Sequence, residues 1–164
     1  MTEVTTARIL ADKALQEPCG QECVDWAVSM LTAGSDGANL TMLASMAPPY
    51  NHFEVAGFRD RALAEVGAPN LGVDDAVQVY AAERLRLALR GKANMLGTLR
   101  VVKDLCVAHD YQRDLYDFYL LYFAADSLRG SVHQSYWDSA TRANIDDIVR
   151  EQAQRFIAHT LGVT

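Results

Sequence analysis

Apolar residues recur along this chain every three to four positions, and runs of period-two alternation bounded by hairpin turns are absent. The pattern predicts an all-α protein, a compact single-domain helical bundle of about seven to eight helices joined by short loops. A first helix is expected over Thr5 to Gln16, ahead of Pro18, and a second over Gly20 to Thr32, ending at Gly34. A short third, Ala38 to Met46, is stopped by Pro48 and Pro49. In "YNHFEV", Asn51 can cap a helix with Glu54 three residues on, and that helix should end at Gly67. Asp74 and Asp75 suit the positive end of the next, which runs through Val77, Tyr80, Ala81, Leu85 and Ala88 to Arg90, with Gly91 past its end. Further helices are expected over Ala93 to Ala108, Gln112 to Leu128 and Ser139 to Thr160, with Gly162 beyond the last.

The densest stretch, "HDYQRDLYDFYLLYFAADSLRG" from His109 to Gly130, holds four of the seven tyrosines, two phenylalanines and four aspartates. At about 100° per residue, Leu115, Phe118, Tyr119, Tyr122 and Asp126 share one face, flanked by Tyr116 and Phe123. Asp110, Asp114 and Asp117 fall on the other side, together with Leu120 and Leu121. The helix is apolar around most of its circumference, which predicts a central core element. Asp126 is the exception, because a charge on an aromatic face is costly to bury unpaired. Arg129 and the tyrosine hydroxyls are its natural partners. The competing reading makes Asp126, with Tyr119 and Tyr122, a catalytic or ligand-binding group in an interhelical pocket.

Composition narrows the class further. With 164 residues at 50% hydrophobic content, one core over residues 1–164 suffices. The first residues mix acids and bases and lack a secretory pattern, and the longest apolar run, Phe118 to Ala125, is too short to span a bilayer. Three cysteines, Cys19, Cys23 and Cys106, form no secreted disulfide framework. A cytoplasmic protein without a membrane segment is expected.

The net charge of −6 argues against nucleic-acid binding. Residues 1–82 carry four Lys/Arg against eleven Asp/Glu, and residues 83–164 carry eleven against ten. Most of the basic excess lies in "ERLRLALRGKANMLGTLRVVK", where Arg84, Arg86, Arg90, Lys92, Arg100 and Lys103 face Glu83 alone. Either this ridge pairs with acids elsewhere in the chain, or Arg84, Arg86, Arg90 and Lys92 form an anion-binding patch for an acidic protein, a phosphate or RNA.

Candidate chemistry is sparse. Cys19, Cys23, Cys106 and His109 could together supply zinc ligands, but both pairs lie on or beside helices rather than in knuckles. Ser131, His133, Ser135 and Asp138 are too close in one loop to orient one another as a hydrolytic triad. "RGKANMLGT" has Gly-Lys in the wrong order for a phosphate loop, and no dinucleotide fingerprint occurs, so no cofactor is expected. Two loops have the composition of contact surfaces: Tyr50, Asn51 and His52, and His133, Tyr136 and Trp137.

These readings lean away from an enzyme and toward a non-catalytic module that binds another protein. Its specific form would be an immunity- or antitoxin-like protein whose acidic half neutralises a basic partner. A homodimer through the aromatic loops is a further possibility. The alternative is a small-ligand enzyme built around Asp126.

Overall fold

The computed structural model describes residues 3–162. Its elements are α1 (Thr6–Ala14), α2 (Gln21–Thr32), α3 (Ala38–Ala44), α4 (His52–Glu65), α5 (Val73–Leu89), α6 (Met95–Ala108), a 3-10 turn η1 (Arg113–Leu115), α7 (Tyr116–Gly130) and α8 (Ile145–Leu161). Among the described residues there is no strand, and the fold is all-α. None of these helices is long and apolar enough to cross a membrane. Contacts divide the chain into two compact units, Met1–Ala76 and Val77–Thr164, the division falling inside α5.

Several helix ends follow directly from the local chemistry. Asn51 accepts hydrogen bonds from the backbone N–H groups of Phe53 and Glu54 and so starts α4. At Gly67 and Gly91 the backbone is left-handed, with φ of +71° at each, and the N–H of each glycine and that of the residue after it turn back onto the last helical carbonyls. Glycine adopts that conformation without the cost a Cβ would bring. Asn94, a cap missed in the sequence, accepts the Gly97 N–H at 2.8 Å and starts α6.

Two boundaries differ from expectation. The last helix begins at Ile145, not Ser139. Ser139 is left-handed, and the Asn144 side chain bonds both the Thr141 N–H and the Ser139 carbonyl, so residues 139–144 are held as turns. The aromatic helix begins at Tyr116, because Gln112 accepts the Leu115 N–H and closes a separate 3-10 turn first.

The core of the first unit contains Ile9 from α1, Cys23, Trp26 and Ala27 from α2, Leu40 and Leu43 from α3, and Val55, Ala62 and Leu63 from α4. Trp26 is wholly buried, and its indole N–H donates to Thr6 Oγ1 at 3.0 Å, so its one polar atom is satisfied. The short α3 starts at Gly37, which has no side chain with which to cap it. Glu65, at the far end of α4, supplies the cap instead. Its carboxylate accepts the Asn39 and Leu40 backbone N–H groups, each at 2.9 Å, and the Asn39 side-chain amide at 2.7 Å. The hydrogen bonds from Asn39 and Leu40 favour the ionised form and hold the Glu65 carboxyl below the ordinary range. A Cβ at position 37 would run into that carboxylate.

In the second unit, α6 and α7 pack along one another. The buried side chains include Leu99, Val102, Leu105 and Cys106 from α6, Phe118, Leu121, Tyr122 and Leu128 from α7, and Val149, Ala153 and Ile157 from α8. Phe118 meets Phe156 edge to face, with ring centroids 5.3 Å apart, and so ties α7 to α8. Burying each large apolar side chain of this kind contributes roughly 1.5–3 kcal/mol before entropy is counted.

Candidate functional site

The helix that the sequence predicts to be core presents a second face to solvent. Tyr111, Tyr116 and Tyr136 are each more than two-fifths exposed, and they belong to one continuous aromatic ladder. Tyr116 stacks on Tyr119 with centroids 5.4 Å apart, and Tyr111 meets the same ring edge-on at 5.6 Å. Tyr119 contacts Phe123 at 5.1 Å, and Phe123 stacks on Tyr136 at 5.3 Å. Such ring pairs contribute about 0.5–1.5 kcal/mol beyond their burial, enough to hold exposed rings in fixed positions.

The backbone on both sides serves this ladder. Asp110 and Tyr111 are both left-handed, with φ of +50° and +56°. Aspartate tolerates that conformation, but for tyrosine it costs about 1–2 kcal/mol. At the other end, Gln134 organises the loop carrying Tyr136. Its Oε1 accepts the backbone N–H groups of Tyr136 and Trp137, while its Nε2 donates to the Trp137 and Ala140 carbonyls.

Acids border the rings. Tyr111, Tyr116, Arg113, Asp114 and Asp117 line an open groove of about 560 Å³. Asp114 Oδ2 accepts amide hydrogens from Gln78 and Gln112, both at 3.0 Å. These donors fix the carboxylate in place without neutralising its charge. Asp110 is exposed beside them, so three aspartates stand against one arginine.

The residues of the enzymatic alternative are arranged otherwise. Asp126 is exposed, not buried on the aromatic face, and lies 3.9 Å from Arg129. The desolvation problem that singled it out therefore does not arise. Tyr122 is buried, its hydroxyl accepts Arg100 Nε–H at 3.2 Å, and Lys103 stands 5.0 Å from its ring centroid. Desolvation, together with the neighbouring tyrosines, pushes the Tyr119 hydroxyl above its ordinary range, away from acid–base work near neutrality.

The two aromatic loops also part company. Tyr50 donates its hydroxyl hydrogen to Gln21 at 2.6 Å, Asn51 caps α4, and His52 Nδ1 hydrogen-bonds the Cys19 carbonyl oxygen. That loop is engaged within its own unit. In the other loop His133 and Tyr136 are exposed and Trp137 is half-buried, and only Tyr136 joins the ladder.

The basic ridge is split by helix geometry. Arg84 and Arg86 lie about 200° apart around α5, whereas Arg86 and Arg90 lie about 40° apart. Arg86 and Arg90, with Arg155, line a cleft of about 530 Å³ floored by Leu89, Ile157 and Ala158. Arg84 lies on another face, with its Nε buried and unbonded, and Lys92 is exposed beyond the helix end. None of Arg84, Arg86, Arg90 and Lys92 makes an ion pair among the described residues, so the internal pairing expected for them is not found. Of the four basic residues, only Arg86 and Arg90 share that cleft.

Among the described residues no three His, Cys, Asp or Glu side chains gather into a metal-holding group. All three cysteines are buried and unbridged. Comparison with protein-family models, with characterised proteins and with solved structures gives no match to this chain.

Proposed function

We propose that this protein is a non-catalytic binding module of the cytoplasm that recognises a basic segment of another protein through the tyrosine face of α7. The observation that carries this reading is the juxtaposition of partly exposed, mutually stacked tyrosines with Asp110, Asp114 and Asp117. Tyrosines already fixed by their neighbours lose little side-chain freedom on binding, which is why rigid aromatics dominate contact energetics. A lysine or arginine laid into the groove would rest its stem on a ring face and its cationic head on a carboxylate. The acidic half of the chain would speed encounter with such a partner. An immunity- or antitoxin-like role is the specific form of this reading.

The test is affinity capture with the wild-type chain and with a Tyr111→Ala/Tyr116→Ala double variant, followed by partner identification and titration. The expected partner is basic, dissociates as salt rises, and binds the variant at least about 30-fold more weakly, an effect of hot-spot size. The helical spectrum of the variant should be unchanged. Equal capture by both proteins, or an acidic partner insensitive to salt, overturns the proposal.

A further inference from the structure

A second constellation lies in the first unit, away from the proposed contact face in sequence. Cys19 stands immediately before Gly20, the residue that opens the twelve-residue α2. Cys23 lies four residues on, in the first turn of the same helix, close enough for its thiol to act on the Cys19 sulfur. From α4, Arg59 reaches in with only 7% of its surface exposed and donates from Nη1 to Cys19 Sγ.

The arginine makes this more than a buried pair of small side chains. A guanidinium taken out of water needs an anionic partner. The carboxylate bonded to Arg59 is Asp60, through Nε at 2.9 Å, and Asp60 also pairs with Lys13 at 3.3 Å. Asp60 is thus shared between two cations, and the terminal nitrogen of Arg59 is directed at sulfur, where a thiolate would add a second anion beside the guanidinium. The hydrogen bond from Cys23, together with Arg59, lowers the Cys19 thiol to about 7 despite its burial. Cys23, as the proton-holding partner and buried itself, is pushed the other way. The two sulfurs are therefore unlike: the Arg59 guanidinium touches Cys19 and favours its anion, and Cys23 is the one that keeps its proton.

We propose that Cys19 and Cys23 form a site that reduces small hydroperoxides, with Cys19 as the attacking sulfur, Cys23 as the resolving one and Arg59 as the positioning cation. Each cysteine is only 4% exposed, which admits a small peroxide and shuts out a bulky disulfide substrate. The Cys19 thiolate attacks the terminal peroxide oxygen, the O–O bond breaks, and the alkoxide leaves as an alcohol with the proton from Cys23. Cys19 is then a sulfenic acid. The Cys23 thiolate attacks its sulfur, an S–S bond forms, and hydroxide leaves as water with one proton from solvent. The two sulfurs are each oxidised by one electron, and the peroxide is reduced by two. A thiol reductant restores the pair.

The experiment uses the reduced full chain, hydrogen peroxide and alkylation of the remaining thiols, read by peptide mass spectrometry. Cys106 is the internal control, since burial alone acts on it and raises its thiol above the ordinary range. We expect a Cys19–Cys23 bridge to form at pH 7 at least about tenfold faster than Cys106 is oxidised, the margin a thiolate gives over a thiol. Cys23→Ser should stop at a sulfenic acid on Cys19 that a 1,3-diketone traps, and Cys19→Ser should lose the fast peroxide consumption. Oxidation of Cys19 and Cys106 at equal rates in the wild-type chain overturns the proposal whatever the variants do. So does undiminished peroxide consumption by Cys19→Ser.

Discussion

Tyr116 and Phe118 lie two residues apart on α7, yet Phe118 is 2% exposed and Tyr116 is 41% exposed. The second unit thus carries one apolar set, partly aromatic, that holds it together and one aromatic set that faces water. In the buried set, Phe118, Leu121 and Tyr122 take their stability from burial and from a ring contact to α8. In the exposed set, Tyr111, Tyr116 and Tyr136 are held mainly by one another through Tyr119 and Phe123. Aromatic content therefore does not by itself mark a core. What separates the sets is whether the neighbouring helix supplies apolar surface, or only a turn and a loop supply more rings.

Three substitutions on α7 test that division. The largest effect is expected for Phe118→Ala, which should cost about 3–5 kcal/mol in urea unfolding because it opens a cavity and removes the edge contact with Phe156. A loss under about 1 kcal/mol would mean that α8 is not anchored there. Tyr122→Phe keeps the ring and removes only the hydroxyl that accepts from Arg100, so it should cost about 0.5–1.5 kcal/mol. Asp126→Asn should change stability by less than about 0.5 kcal/mol, since the pair with Arg129 is exposed and its contact long. It should also leave partner binding intact, and a strong loss of either would return Asp126 to the centre of the site.

Much of the fold was legible because helix ends are local events. Asn51, Gly67 and Gly91 act within a few residues of themselves, and each does what its position announces. The last helix misled because Ser139 to Asn144 has helix-compatible residues whose side chains bond the backbone first. The site was less legible. A helical wheel put Asp126 among the aromatics, but half-exposure depends on which partner covers that edge. The ladder needed Tyr111 from a left-handed turn and Tyr136 from a loop, neither of which lies on the periodicity of α7. Arg59 sits forty residues from Cys19, and nothing in the local pattern of either links them.

The cap that Glu65 places on α3 has a consequence for the order of assembly. A seven-residue helix opened by glycine has little stability of its own, and its first N–H groups are satisfied from 26 residues downstream. While the chain emerges from its N-terminal end, α3 has no start until α4 has grown to its final turn. Leu40 and Leu43, which α3 delivers to the surroundings of Trp26, arrive only then. A fragment ending before residue 65 should therefore leave the segment 38–44 uncoiled even with its own sequence complete.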